Sequence, residues 1–196
     1  MDIDTQRDFM LPSGALYVPG AERIIPKLRR LFEFSQKHGV FVVSSADAHE
    51  PDDAEFQQFP PHCVKGTEGQ QKINETLLTR HAVFQSRVMD RNILDIVRKY
   101  PQILLQKQEL DVFSNPMTER LLKALPQHAI VFGVATEYCV RQACLGLRRL
   151  GTKVALITDA VRAIDPRSGD ATLEELRRAG VETITLEMLL GNQPDD

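Results

Sequence analysis

A few side chains in this sequence combine reactive chemistry with positions where a strand ends or a helix begins. Cys139 follows Gly133-Val134-Ala135-Thr136 at the start of a helical stretch. With Thr136 as N-cap, Cys139 falls in the first turn, where the positive end of the helix dipole favours its thiolate. That makes it a candidate nucleophile. The alternative is a buried structural cysteine, which fits Cys144 better, on the apolar stripe Val140, Ala143, Cys144 and Leu147. Asp4, directly after Ile3, is either a strand-end cap or a base that takes a thiol proton and later gives one to a leaving amine. Lys107, after Gln106, is either a solvated lysine or a cation that steadies a thiolate and a nearby carboxylate.

A second group lies in the polar, irregular stretch 46–72, which contains Asp47-Ala48-His49 and Phe59-Pro60-Pro61-His62-Cys63. Asp47, His49 and His62 are suitable ligands for Zn²⁺, Fe²⁺ or Mn²⁺, with positions left open for water or substrate. Surface histidines and loop-fixing hydrogen bonds are the alternatives. Asp52, Asp53 and Glu55 stand close enough in sequence to help hold a metal, and the sequence does not choose among them. His38, His81 and His128 read as solvated, and Cys63 as a buried loop anchor.

The elements that must carry these residues alternate regularly. Short strands are expected at Ile3-Asp4, 40–45, 83–88, 103–106, 129–132, 154–157 and 182–185. Helices are expected over 21–38, 90–99, 116–125, 137–150 and 170–179. Alternating strands and helices form right-handed βαβ units, so the fold class is α/β. The expected architecture is a single-domain, Rossmann-like three-layer sandwich over residues 1–196, with a central, mainly parallel sheet. Ligands in such sheets bind outside the carboxyl ends of the strands. Strand direction therefore places Asp4, Asp47, Lys107 and Cys139 on one rim, although they are far apart in sequence.

Composition narrows the class further. The chain has 196 residues, 42% of them hydrophobic. Its 24 Lys and Arg against 27 Asp and Glu give a net charge of −3, with no basic excess for nucleic acid. No apolar run reaches the roughly 18 residues of a membrane span, and the acidic opening Met1-Asp2-Ile3-Asp4 lacks a signal-peptide pattern. Three cysteines form no disulfide framework. The expectation is a cytoplasmic protein with a small-molecule partner and no nucleic-acid or membrane partner; a homo-oligomer is left open.

The motifs resemble those of the isochorismatase-like cysteine hydrolases, and most of all the nicotinamidases (pyrazinamidases), over nearly the whole chain. Asp4-Thr5-Gln6-Arg7-Asp8-Phe9 is similar to the family's D-x-Q-x-D-F opening, and Gly133 to Val140 to its G-V-A-T-x-x-C-V segment. The resemblance implies a Cys139–Asp4–Lys107 triad. It also implies a cis Val134–Ala135 peptide and an oxyanion hole from the amides of Ala135 and Cys139. Asp47-x-His49 with Pro61-His62-Cys63-Val64-x-Gly66-Thr67-x-Gly69 resembles the nicotinamidase metal loop, which isochorismatases and several ureido-amide hydrolases lack. It implies a divalent metal (Zn, or Fe/Mn) on Asp47, His49 and His62. Phe9, Phe59 and Val134 would then contact a pyridine ring, with a role in NAD salvage and pyridine nucleotide biosynthesis. Three features depart from the pattern: Ala48 replaces the usual aromatic residue, Asp111 to Pro116 is unlike the family segment after its lysine, and the first strand is short.

Overall fold

The computed structural model describes residues 1–90 and 92–191. Among these, seven strands form one sheet: β1 (Asp2–Ile3), β2 (Val42–Asp47), β3 (His81–Phe84), β4 (Gln102–Lys107), β5 (His128–Val134), β6 (Lys153–Arg162) and β7 (Glu182–Ile184). Their order is β3-β4-β2-β1-β5-β6-β7, and every pairing between them is parallel. The expected α/β class and mainly parallel sheet are therefore present. From β1 the chain builds outward to one side through β2, and later to the other side from β5. The β1/β5 boundary is thus a topological switch point, where open α/β sheets bind ligands.

The helices are α1 (Arg7–Met10), α2 (Ile25–His38), α3 (Ile93–Lys99), α4 (Thr118–Lys123), α5 (Arg141–Arg149), α6 (Pro166–Arg178) and α7 (Leu186–Leu190). Strand residues alternate between two apolar layers, as a sheet covered on both faces requires. Val43, Ile103, Leu105, Val131 and Leu156 pack with Leu121 of α4 and Leu147 of α5. Val42, Phe132 and Ile157 pack with Leu28, Leu31 and Phe32 of α2. Gly39 ends α2 at φ +64°, a left-handed cap that glycine adopts without steric penalty.

Several boundaries differ from expectation. The expected strand 83–88 is His81–Phe84, because the Asn115 side-chain amide takes the carbonyls of Phe84, Gln85 and Gln106 at 3.1, 3.2 and 2.8 Å. Gln85 is thereby drawn off the ladder. The expected strand 154–157 extends to Arg162, since a register shift in β5 between Val131 and Gly133 lets β6 continue pairing. The expected helix 90–99 is observed from Ile93, and residue 91 within that span lies outside the described residues, as do residues 192–196 of the expected domain. The stretch expected as helix 137–150 begins with a π turn, Thr136–Val140, before α5. Ala135 takes the cap position, so Thr136 is not the cap; its residue is buried inside the turn.

Candidate active site

β1, β2, β4 and β5 deliver Asp4, Asp47, Lys107 and Cys139 to the carboxyl rim, and all four are buried. The close approach of β5 to β1 depends on Gly133, at φ +122°, where a Cβ would lie 2.1 Å from the Ile3 carbonyl oxygen. Asp4 itself sits at φ +46°, in the left-handed region. Non-glycine residues held there cost of order 1–3 kcal/mol and concentrate at functional sites. The Val134–Ala135 peptide is cis.

Lys107 is the hub. Its Nζ donates to Asp47 Oδ1, lies 2.9 Å from Asp4 Oδ2, and lies 3.5 Å from Cys139 Sγ. With no exposure, it is not the solvated lysine of the alternative reading. Beyond this ion pair, Asp4 Oδ2 has no hydrogen-bond partner. Ser45 holds the other oxygen, Oδ1, at 2.7 Å. A buried carboxylate oxygen left open beside a thiol, with Sγ within 4.8 Å, is placed to accept that thiol's proton.

Burial dominates the protonation of this group, and the partners modify it. It raises the Asp4 carboxyl above its ordinary value, with Lys107 pulling the other way. Burial also opposes the charge on Asp47, yet Lys107 and His49 outweigh it and hold that carboxyl low. The Cys139 thiol is pushed up by burial, against Lys107, and further by Asp4 and Asp47. This corrects the expectation of a thiolate favoured by the helix start. A thiol pushed up in this way calls for a base beside it. Lys107 is held cationic because Asp4, Asp47 and Cys139 overcome its desolvation.

Asp47 links this group to a second one. Its Oδ2 lies 3.8 Å from His49 Nε2 and 3.9 Å from His62 Nε2. Each imidazole is oriented through its other nitrogen: His49 Nδ1 pairs with Asp53 Oδ2 at 3.0 Å, and His62 Nδ1 with the Pro60 carbonyl at 2.8 Å. The two Nε2 atoms and the Asp47 carboxylate thereby converge, and His49 Nε2 is buried without a hydrogen-bond partner. An orphaned imidazole nitrogen facing a second imidazole and a carboxylate suits a divalent metal. Glu55 lies 3.8 Å from His62 Nε2 on the same side, whereas Asp53 is committed to His49 and Asp52 is exposed.

Phe9, Phe59 and Val134 line a cavity of about 30 Å³ with Ala135, Tyr138 and Cys139. The rings of Phe9 and Phe59 lie 5.3 and 6.4 Å from that of His62. Every expected site residue is therefore brought to one place. A larger cavity, about 760 Å³, lies at the opposite rim among apolar side chains. The titratable cluster, and not size, marks the candidate site.

Some contributors were not singled out from sequence. The Gln6 side chain donates to the Asp47 carbonyl at 2.8 Å and accepts from the Asp47 amide at 2.7 Å, fixing the backbone of that residue. Asp8 accepts from the Cys63 amide at 2.7 Å, tying the metal-loop histidine's neighbour to α1. Both belong to the opening motif, which was their signal. Ser45, Tyr138 and Phe56, the last 5.3 Å ring to ring from His49, had none. Cys63 and Cys144 are fully buried with raised thiols, Cys144 to about 12, matching anchor and core roles. His38 and His128 are exposed, and His81 is half-buried on the Leu78 carbonyl at 2.8 Å.

The isochorismatase domain family model matches residues 2–188. The chain is similar to the nicotinamidase of Escherichia coli (strain K12), 28% identical over 94% of this chain and 92% of that protein. It is similar to the pyrazinamidase of Pyrococcus horikoshii in complex with zinc, with TM-score 0.77 and 27% identity over 94% and 96% of the two chains. An isochorismatase-like hydrolase from Alkaliphilus metalliredigens gives TM-score 0.78 and 25% identity over 96% and 94%. Among the described residues, no helix is long and apolar enough to cross a membrane.

Proposed function

The chain belongs to the isochorismatase domain family, and from that premise we propose that it is a cysteine-dependent amidohydrolase converting nicotinamide to nicotinate and ammonia. The proposed unit is one hydrolase domain over residues 1–196. The observation that carries the reading is Lys107 bridging Asp4, Asp47 and Cys139 beside converging histidines. Similarity to nicotinamidases supports the substrate.

In this mechanism Asp4, whose raised basicity follows from burial, takes the Cys139 proton as Sγ attacks the amide carbon. The ammonium of Lys107, 3.5 Å from Sγ, stabilises the developing thiolate. The backbone amides of Ala135 and Cys139, two residues that line the cavity, receive the oxyanion. Protonated Asp4 passes its proton to the leaving nitrogen, and ammonia departs from a Cys139 thioester. Asp4 then takes a proton from the water that hydrolyses the thioester.

Asp47, His49 and His62 would hold the divalent metal, with Glu55 placed to join them. When bound, the ion would supply a coordination point for the pyridine nitrogen. Phe9, Phe59 and Val134 would flank the ring. Nicotinate is a precursor for NAD salvage, the metabolic setting that this reaction implies.

One observation favours a second reading, a related hydrolase acting on another small amide or ureide. Ala48 is buried between Asp47 and His49, and a cavity of about 420 Å³ lined by Gln85, Gln106 and Gln108 adjoins it. Ammonia release from nicotinamide, benzamide and an N-carbamoyl amine, with and without a chelator, separates the two. The nicotinamidase reading expects nicotinamide to be preferred and chelator-sensitive. Preference for the N-carbamoyl amine would replace it with the second reading.

A further inference from the structure

Besides the Lys107 cluster, the fold buries a second ion pair that the proposed reaction does not use. Lys72 Nζ lies 2.8 Å from Asp2 Oδ2, and both residues are buried. The Asp2 carboxylate is fully engaged: Oδ1 accepts from the Thr5 hydroxyl at 2.8 Å, and Oδ2 from the Ser44 hydroxyl at 2.7 Å. The Gln102 side-chain amide donates to Ser44 Oγ at 2.8 Å and to the Thr76 carbonyl at 2.9 Å, and Thr5 Oγ1 lies 2.7 Å from Thr76 Oγ1. A buried ion pair adds little stability, because desolvating both ions offsets their attraction. What this one does is join β1, β2, β4 and the segment 72–76 at one point.

Those segments surround Asp4. Thr5 follows it in the chain, and Ser45, whose hydroxyl holds Asp4 Oδ1 at 2.7 Å, follows Ser44. Lys72 Nζ lies 3.5 Å from the Ser45 carbonyl oxygen. The segment that carries Lys72 also runs along the turn that Asp4 opens. The carbonyls of Gly69 and Gln71 accept from the amides of Asp8 and Arg7 at 3.1 and 2.8 Å, and the Ile73 amide donates to the Thr5 carbonyl at 3.0 Å. Asp4 sits at φ +46°, a state that a non-glycine residue keeps only where its surroundings over-determine it. The Asp2 carboxylate closes over that residue by reaching forward to Thr5, and it pins β2 alongside through Ser44.

We propose that Asp2 and Lys72 are positioning residues for Asp4: the pair fixes the Thr5 turn and the Ser45 hydroxyl, so that Asp4 Oδ2 stays open toward Cys139. This role rests on the reading of Asp4 as the proton carrier. Neither side chain lines the cavity beside Cys139, so both act through Thr5, Ser44 and Ser45. A shift of about 1 Å at a reacting group can cost about 10²-fold in rate. The loss therefore belongs in kcat, while KM, set by the cavity walls and the metal ligands, is spared.

The test compares the double variant Asp2→Leu with Lys72→Met, and the single variants Thr5→Val and Thr5→Ser, with the wild-type chain. The double variant leaves no unpaired buried charge, so the fold is kept. Thr5→Val keeps shape and loses only the hydroxyl. In ammonia release from nicotinamide, the double variant should lose at least about tenfold in kcat with KM within about twofold. Its melting temperature and its bound metal, by elemental analysis, should match the wild type. Thr5→Val should also lower kcat, and Thr5→Ser should restore it. Alkylation of Cys139 by iodoacetamide should slow in step with kcat, because the thiol depends on a well-placed base. Wild-type kcat in the double variant or in Thr5→Val overturns the proposal, as does a fall in kcat matched by an equal rise in KM. Asp4→Asn is measured alongside. If it is inactive while the double variant keeps its kcat, only the positioning role falls. If Asp4→Asn keeps the wild-type kcat, the proton-carrier reading falls and the positioning role with it.

Discussion

The two ends of β1 each bury a charge, and the molecule treats them differently. At the carboxyl end, Asp4 sits with Lys107, Asp47, Ser45 and Cys139. At the amino end, Asp2 is buried with Lys72 at 2.8 Å and accepts from the hydroxyls of Thr5 and Ser44 at 2.8 and 2.7 Å. A buried ion keeps its charge only where opposite charge and hydrogen bonds replace the lost water. Both ends are electrostatic units, but at the amino end each Asp2 oxygen accepts a hydrogen bond, whereas at the carboxyl end Asp4 keeps one oxygen that accepts none. The same contrast divides the two carboxylates that share Lys107. Asp47, with His49 3.8 Å away and Lys107 bonded to it, is held below its ordinary value, while Asp4 has an oxygen that accepts no hydrogen bond and a raised pKa. Two acids pushed apart by their surroundings mark different roles, charge anchor and proton carrier.

The largest expected effects come from breaking the carboxyl-end unit. Cys139→Ala should abolish turnover and leave the melting temperature nearly unchanged. Asp4→Asn keeps shape and hydrogen bonding but cannot carry a proton, so kcat should fall about 10²–10⁴-fold. Lys107→Ala should lose turnover and also stability, because removing one partner of a buried charge pair costs about 3–5 kcal/mol. Steady-state ammonia release and chemical denaturation read these out. If Asp4→Asn and Lys107→Ala each change the rate by less than about threefold, the unit is structural and the contrast fails.

The next effects test the half of the site beyond Asp47. His49→Ala and His62→Ala should lose bound metal by elemental analysis and raise KM for nicotinamide. Benzamide, which lacks the ring nitrogen, should be a poor substrate of the intact chain and lose little more in these variants. Equal losses on both amides would assign the metal to holding the 46–69 loop.

The smallest effect is expected for Cys144→Ala, which should retain turnover with a modest loss of stability from a core cavity.

Much of the carboxyl end was legible because strand direction alone gathers residues that follow strands. Asp4, Asp47, Lys107 and Cys139 needed only the positions of β1, β2, β4 and β5. The protonation state of Cys139 was not legible. A helix-dipole argument sees one local effect, whereas burial and two carboxylates from β1 and β2 decide the outcome. Ser45 and Gln6 act on partners 41 residues away, so no local pattern exposes them. Residues 83–88 alternate like a strand, and only the folded position of Asn115 reveals why pairing stops at Phe84.

The most direct measurement is acid-quenched peptide mass spectrometry during nicotinamide turnover. The mechanism requires a nicotinoyl thioester on Cys139. It should be present in the wild-type chain during turnover, absent in Cys139→Ala, and gone once substrate is exhausted. Continued ammonia release from Cys139→Ala, or an acyl group mapped to Cys63 or Cys144, would contradict the assignment of Cys139 as nucleophile.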